Sequence, residues 1–229
     1  MTQPALFDPI AKAYARYAAI TDELFRPWIE RHLPVHVGCA ADLGCGSGRW
    51  TTLLAEHATD VLAVDVSAAE LRLACATRSR PNVRYELRSL LDVTPGRDGL
   101  FDLVLSVNTL FHLYAEHSPD DVLRHVRSLV APGGVAVLVD VVSPGDRALW
   151  WHRWWGLAEA ARTLRRRRSV TNAWAVLALR QHPAWLRHAR TNHPLTRERC
   201  HDVYADHLPG VRFTEDLDPF TCAAYWRRD

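Results

Sequence analysis

Lysine is nearly missing from this chain: Lys12 is the only one among 28 basic residues, and the rest are arginine. The bases barely exceed the 26 acids, leaving a formal charge of +2 at pH 7. So small an excess excludes a general nucleic-acid binder, which depends on a strong positive field. Cysteines are few and scattered: Cys39, Cys45, Cys75, Cys200 and Cys222 are odd in number and include no Cys-x-x-Cys pair. That argues against a disulfide framework and a zinc site, so no metal is expected. A reducing cytoplasm is the expected compartment. The N-terminal residues lack a charged-then-apolar leader, and no apolar run approaches the roughly 18 residues that span a bilayer. No membrane partner is expected, and neither repeats nor low-complexity segments occur.

What remains is an ordinary globular composition. The 229 residues are 48% hydrophobic and 24% charged, the profile of one α/β domain with a full core. Apolar residues from Ile10 to Trp28 recur near the helical period and predict a helix over 9–33, with a break at Pro27. Strands are expected at 37–43, 61–65, 83–87, 101–106 and 135–140. Helices are expected between them at 48–57, 68–77 and 120–130, with Ser67 and Glu70 as a capping pair. Strands alternating with helices predict a mainly parallel sheet, with its ligand outside the carboxyl ends of the strands. A helix over 197–208 and strands at 211–213 and 221–226 complete the chain.

The most informative stretch is Ala41-Asp42-Leu43-Gly44-Cys45-Gly46-Ser47-Gly48-Arg49-Trp50. Glycines at alternate positions fall where a strand turns into a helix, so a ligand can approach the backbone and the free N–H groups of the helix. A second strand ends in Asp65, an acid able to accept hydrogen bonds from both hydroxyls of a ribose. Asp42 lies two residues before the first glycine. Beside a pyrophosphate it would bring like charges together, so the pattern suits a ligand carrying positive charge. Asp42 either meets that ligand or caps the N–H groups of its own loop.

With these features the chain resembles the class I methyltransferases that use S-adenosylmethionine. The resemblance covers residues 35–142 well and 195–229 loosely. It implies a Rossmann-like fold with a mainly parallel seven-stranded sheet, helices on both faces and a helical lid insert. It divides a single domain into an N-terminal helical cap (1–34), a cofactor-binding core (35–142), a substrate lid (143–195) and a C-terminal helix and hairpin (196–229). S-adenosylmethionine is the implied cofactor and S-adenosylhomocysteine the product. Asp42, Gly44, Cys45, Gly46 and Gly48 would lie under the methionine part, Asp65 and Val66 at the ribose, and Leu90 against the adenine. The family's acid after strand three is replaced by Ser89, so either Ser89 or Asp92 makes the adenine contact. Ser106 and Asn108, at the end of Phe101-Asp102-Leu103-Val104-Leu105-Ser106, would face the transferred methyl. Leu129 to Gly134 resembles the family's turn before strand five. Tyr14 and Tyr17 resemble N-terminal tyrosines that close over the cofactor, or else are core residues of an amphipathic helix.

The substrate side rests on fewer signals. Methyl transfer to a hydroxyl needs a base within reach, and His112 stands just after strand four as catalytic base or local structural residue. Trp150, Trp151, Trp154 and Trp155 crowd the insert and suit a flat aromatic or a cationic substrate, or else form the core of the lid. Arg165-Arg166-Arg167-Arg168 is either a phosphate-binding patch or a solvated helix end. The expected activity is methylation of a small organic molecule at O or N in bacterial secondary metabolism, by a monomer or homodimer. The alternatives are an RNA or protein methyltransferase docking through Arg165–Arg168, and a relative that binds the cofactor for a cyclisation or rearrangement.

Overall fold

The computed structural model describes residues 10–143, 149–214, 217, 218 and 220–229; the side chains of 149–153, 188, 190 and 191 lie outside the described set. The described residues open with α1 (Ala11–Thr21), a 3-10 turn (Asp22–Leu24) and α2 (Arg26–His32). The stretch expected as a helix broken at Pro27 is two helices, interrupted earlier, at Asp22–Leu24. Pro27 starts the second instead of breaking the first, because the opening turn of a helix has no need of its missing N–H. Then follow β1 (Val37–Leu43), α3 (Arg49–His57), β2 (Ala58–Asp65), α4 (Ala68–Arg78), β3 (Val83–Leu87), a short α5 (Pro95–Asp98) and β4 (Phe101–Val107). A 3-10 turn (Leu110–Ala115), α6 (Pro119–Leu129) and β5 (Val130–Val141) complete the core. Among the described residues the insert holds three helices, α7 (Leu149–Arg167), α8 (Val170–Arg180) and α9 (Pro183–Thr191). The chain closes with α10 (Arg197–His207), β6 (Arg212–Thr214) and β7 (Thr221–Arg227).

The seven strands run in the order β3-β2-β1-β4-β5-β7-β6, with β7 antiparallel to both its neighbours and the other pairs parallel. The sheet is covered on both faces, as its apolar strands demand. Alternate residues of one strand serve opposite cores. Leu103 and Leu105 pack with Trp28, Ile29, Leu53 and Leu54 on one side, and Val104 packs with Leu123, Val126 and Tyr204 on the other. Ser67 caps α4 by accepting from the Glu70 N–H at 3.2 Å. Asp102, at the start of β4, accepts from the N–H groups of Gly38 and Cys39 at 3.0 and 2.9 Å, which pins the entry of β1. Strand order reverses between β1 and β4. Their carboxyl ends therefore splay apart and leave a crevice for a ligand.

Candidate functional site

The glycine loop leaves β1 and is tied to β2. Gly44 and Cys45 both donate their N–H to Val64 O at 2.9 Å. Asp65 accepts from the Gly46 N–H through Oδ2 and from the Ser67 N–H through Oδ1, each at 2.8 Å. These bonds hold the carboxylate at the end of β2, beside the glycine loop. The glycines answer different demands. A Cβ at Gly44 would fall 2.2 Å from the Thr109 side chain, and one at Gly48 would fall 2.5 Å from Tyr85 Oη. Only Gly46 (φ +50) has free space, its nearest obstacle being Glu70 Oε2 at 3.8 Å.

A cavity of about 100 Å³ opens here, walled by Gly44, Gly46, Asp65, Val66, Glu70, Ser89, Leu90, Asn108 and Tyr14. Its acids are Asp65 and Glu70, and among the described residues the one arginine on the wall, Arg88, is engaged by Glu86 and Asp98 at 2.8 and 2.6 Å. Of the expected cofactor residues, Asp42, Cys45, Gly48, Asp92, Ser106 and Tyr17 are not on its wall. Asp42 is buried and accepts the Thr51 hydroxyl at 2.5 Å. Burial pushes its carboxyl up to about 7, against the pull of that hydrogen bond. Ser106 donates to Leu43 O at 3.0 Å and so braces β4 against β1. Asp92 is solvent-exposed, whereas Ser89 is on the wall and accepts from the Leu91 N–H at 3.2 Å.

A second, larger chamber of about 690 Å³ lies under α7–α9. Tyr14, Asn108 and His112 line both spaces, so the two meet at the end of β4. Asn108 holds a left-handed conformation (φ 54), which turns its side chain toward Asp22 Oδ1 at 3.4 Å. Strain of this kind gathers where a site dictates the backbone. Asp22 is buried on the chamber wall, and burial lifts its carboxyl to about 7 although Arg49 opposes this. His112 Nδ1 lies 3.2 Å from Asn192 Oδ1, and burial lowers the imidazole to about 4. The turn carrying His112 is held from beneath by buried Asp140, which accepts from the Phe111 N–H at 3.3 Å and the Tyr114 hydroxyl at 3.4 Å.

Tyr17 lines only the larger chamber, where its hydroxyl donates to Glu159 Oε1 at 2.8 Å. Tyr14 stacks on Trp185 with centroids 5.9 Å apart. Trp154 is 64% exposed and points away from the chamber, while Trp155, about 100° further round α7, is on its wall. The side chains of Trp150 and Trp151 lie outside the described residues. Sequence reasoning missed Asp22, Glu70, Arg162 and Arg180 as site residues. Asp22 lies in a stretch read as continuous helix, and the others gain meaning only through partners far along the chain.

This crevice at the β1/β4 reversal, with an acid closing β2 and a glycine loop beneath it, can be set beside known proteins. Residues 40–134 match a family model described as a methyltransferase domain. Over that segment the chain resembles a methyltransferase domain. An uncharacterized methyltransferase of Mycobacterium bovis is 30% identical over 124 residues, 54% of this chain and 61% of that one. A cypemycin N-terminal methyltransferase of Streptomyces is 30% identical over 154 residues, 64% of this chain and 60% of that one. The chain thus spans about three fifths of the length of these two curated relatives. Among solved structures, the DhpI–SAH complex shares the fold with a TM-score of 0.64 at 21% identity, covering 99% of this chain and 95% of that one. The N-methyltransferase NodS of Bradyrhizobium japonicum follows with a TM-score of 0.53 at 17% identity, covering 91% and 93%. Among the described residues, no helix is long and apolar enough to cross a membrane.

Proposed function

We propose that the domain binds S-adenosylmethionine in the smaller cleft and directs its methyl to the O or N of a small organic molecule held in the larger chamber. The observation that carries this reading is the meeting of the two spaces at Tyr14, Asn108 and His112. The smaller cleft fits the group by its donor set. Asp65 brings to the cleft wall a carboxylate of the kind that accepts from ribose hydroxyls, and Glu70 suits a cationic ligand. A pyrophosphate would be repelled there. Gly46 leaves room for a ligand against the loop. The chamber volume is that of a small-molecule site. The DhpI–SAH structure and the name of the Streptomyces relative support the same cofactor and a natural-product role.

S-adenosylmethionine supplies an electrophilic methyl, so the protein contributes mainly orientation and exclusion of water. Asp65 and Ser89 hold the nucleoside end. Tyr14 closes the junction, its phenol kept protonated by burial and by the nearby acids. Asn108 fixes Asp22 at the chamber wall. A proton released by the acceptor goes to Asp22. A base works best with a pKa near the working pH, and Asp22 at about 7 meets that condition better than His112 at about 4. His112 acts as a neutral hydrogen-bonding wall residue. The helices over 143–195 form the substrate lid of a single domain that works in the cytoplasm.

Calorimetric titration with S-adenosylmethionine and S-adenosylhomocysteine, with NAD as control, tests the cofactor. Binding of the first two alone is expected. Binding of NAD, or of none, overturns the reading. Release of labelled methyl to a small-molecule acceptor then separates transfer from a cyclisation that only borrows the pocket.

A further inference from the structure

The larger chamber is lined by four arginines and four acids, Asp22, Glu23, Glu159 and Asp218, yet among the described residues ion pairs engage only one of the arginines. Arg162, Arg166, Arg167 and Arg180 all line it. Arg180 is paired, its Nε 2.6 Å from Glu159 Oε2. Glu23 is paired with Arg49 at 2.7 Å, and Asp218 caps the Phe220 N–H at 2.9 Å. Among the described residues no carboxylate forms an ion pair with Arg162, Arg166 or Arg167. The arginine run at the end of α7 thus faces the chamber through two of its members. Arg167 also donates to Ile20 O at 3.1 Å, tying this end of α7 to α1.

Arg162 is the best prepared of the three. Its guanidinium carbon lies 4.3 Å from the centre of the Trp155 ring. Trp155 in turn meets Phe220 edge-on, with centroids 4.3 Å apart. Stacking fixes the plane of the guanidinium and leaves its N–H groups free to meet a ligand. A planar fork so held matches two oxygens of a carboxylate or a phosphate. The same geometry disfavours a cationic acceptor. Trp155 carries Arg162, while Tyr17 and Trp185 carry Arg180 at 5.4 Å, so a cation approaching these rings would meet a like charge.

Resting on the reading of this chamber as the acceptor site, we infer that the acceptor is a small oxyanion, a carboxylate or phosphate ester, gripped by Arg162 with its apolar body along Trp155 and Phe220. This replaces the cationic class that the tryptophans suggested, because the chain's own arginines occupy the ring faces.

The test is calorimetry on the protein saturated with S-adenosylhomocysteine, using benzoate, phenyl phosphate, benzamide and benzyltrimethylammonium as probes. At least one anion is expected to bind tenfold or more tightly than the neutral and cationic probes. The order of benzoate and phenyl phosphate then tells which oxyanion is preferred. Arg162→Met should weaken anion binding at least tenfold, and Arg162→Lys by an intermediate amount, both with unchanged S-adenosylhomocysteine affinity. Equal binding of benzamide, no binding of either anion, or an Arg162→Met variant that keeps its anion affinity would overturn the inference. Failure to bind S-adenosylhomocysteine would overturn the functional reading instead, so the two failures are distinguishable.

Discussion

Replacing Asp22 by asparagine tests both the electrostatics of the chamber and the assignment of the proton acceptor. The substitution keeps an oxygen for the Thr21 hydroxyl (3.3 Å) and the Asn108 amide (3.4 Å) but removes the ionisable group. Burial raises the folded-state pKa of Asp22 from the usual 3.8 to about 7. The folded protein therefore holds this proton where the unfolded chain has released it. Stability from Asp22 is complete below pH 4 and is lost as pH rises through 7. A displacement of that size corresponds to roughly 4 kcal/mol. The variant escapes this loss. Asp22→Asn should match the wild type near pH 4, gain between pH 4 and 7, and be more stable by up to roughly 4 kcal/mol at pH 8. Urea unfolding at pH 4, 5.5, 7 and 8 measures the gap, which would exceed about 1 M in midpoint at a slope of about 3 kcal/mol/M. The same variant should lose about a hundredfold or more in methyl transfer at pH 8, because the acceptor's proton has nowhere to go. A stability difference that stays constant from pH 4 to 8 would refute the desolvation argument. A transfer rate within threefold of wild type would remove Asp22 as proton acceptor.

Asp65→Ala should weaken S-adenosylhomocysteine binding by about 1–3 kcal/mol, since the ribose hydroxyls and the Gly46 and Ser67 N–H groups all lose a charged acceptor; unchanged calorimetric affinity would take Asp65 out of the site. Gly46→Val should abolish that binding with the fold intact by circular dichroism, as the side chain enters the cleft. Gly48→Ala should instead lower the thermal midpoint, through its φ of +79 and the clash with Tyr85, and leave the affinity of the folded fraction unchanged. His112→Ala should slow transfer by less than about tenfold at saturating acceptor, and a hundredfold loss would restore His112 as the base.

Much of the core was legible because its periodicities are strong. The run Val83–Leu87 is the strand expected, and Ser67 caps α4 as its spacing to Glu70 implied. The N-terminal helix was misread because apolar spacing continues through Asp22–Leu24, where the backbone tightens into a 3-10 turn. Trp154 and Trp155 could not be separated by composition, since helical phase relative to a neighbouring element decides which faces inward. The place of Asp42 was also out of reach. Its sequence position suits a ligand contact, yet Thr51, one helical turn into α3, takes its carboxylate.

The sequence alone determined the alternation of strands and helices, the glycine loop, and the acid that ends β2, because each is a local pattern with a local physical cause. Tertiary structure decided which residues face a common space. It joined Tyr14, Asn108 and His112 at the seam of two cavities, raised Asp22 by burial, and laid Arg162 on Trp155. Such properties depend on solvent exclusion and on partners distant in the chain, and no periodicity encodes them.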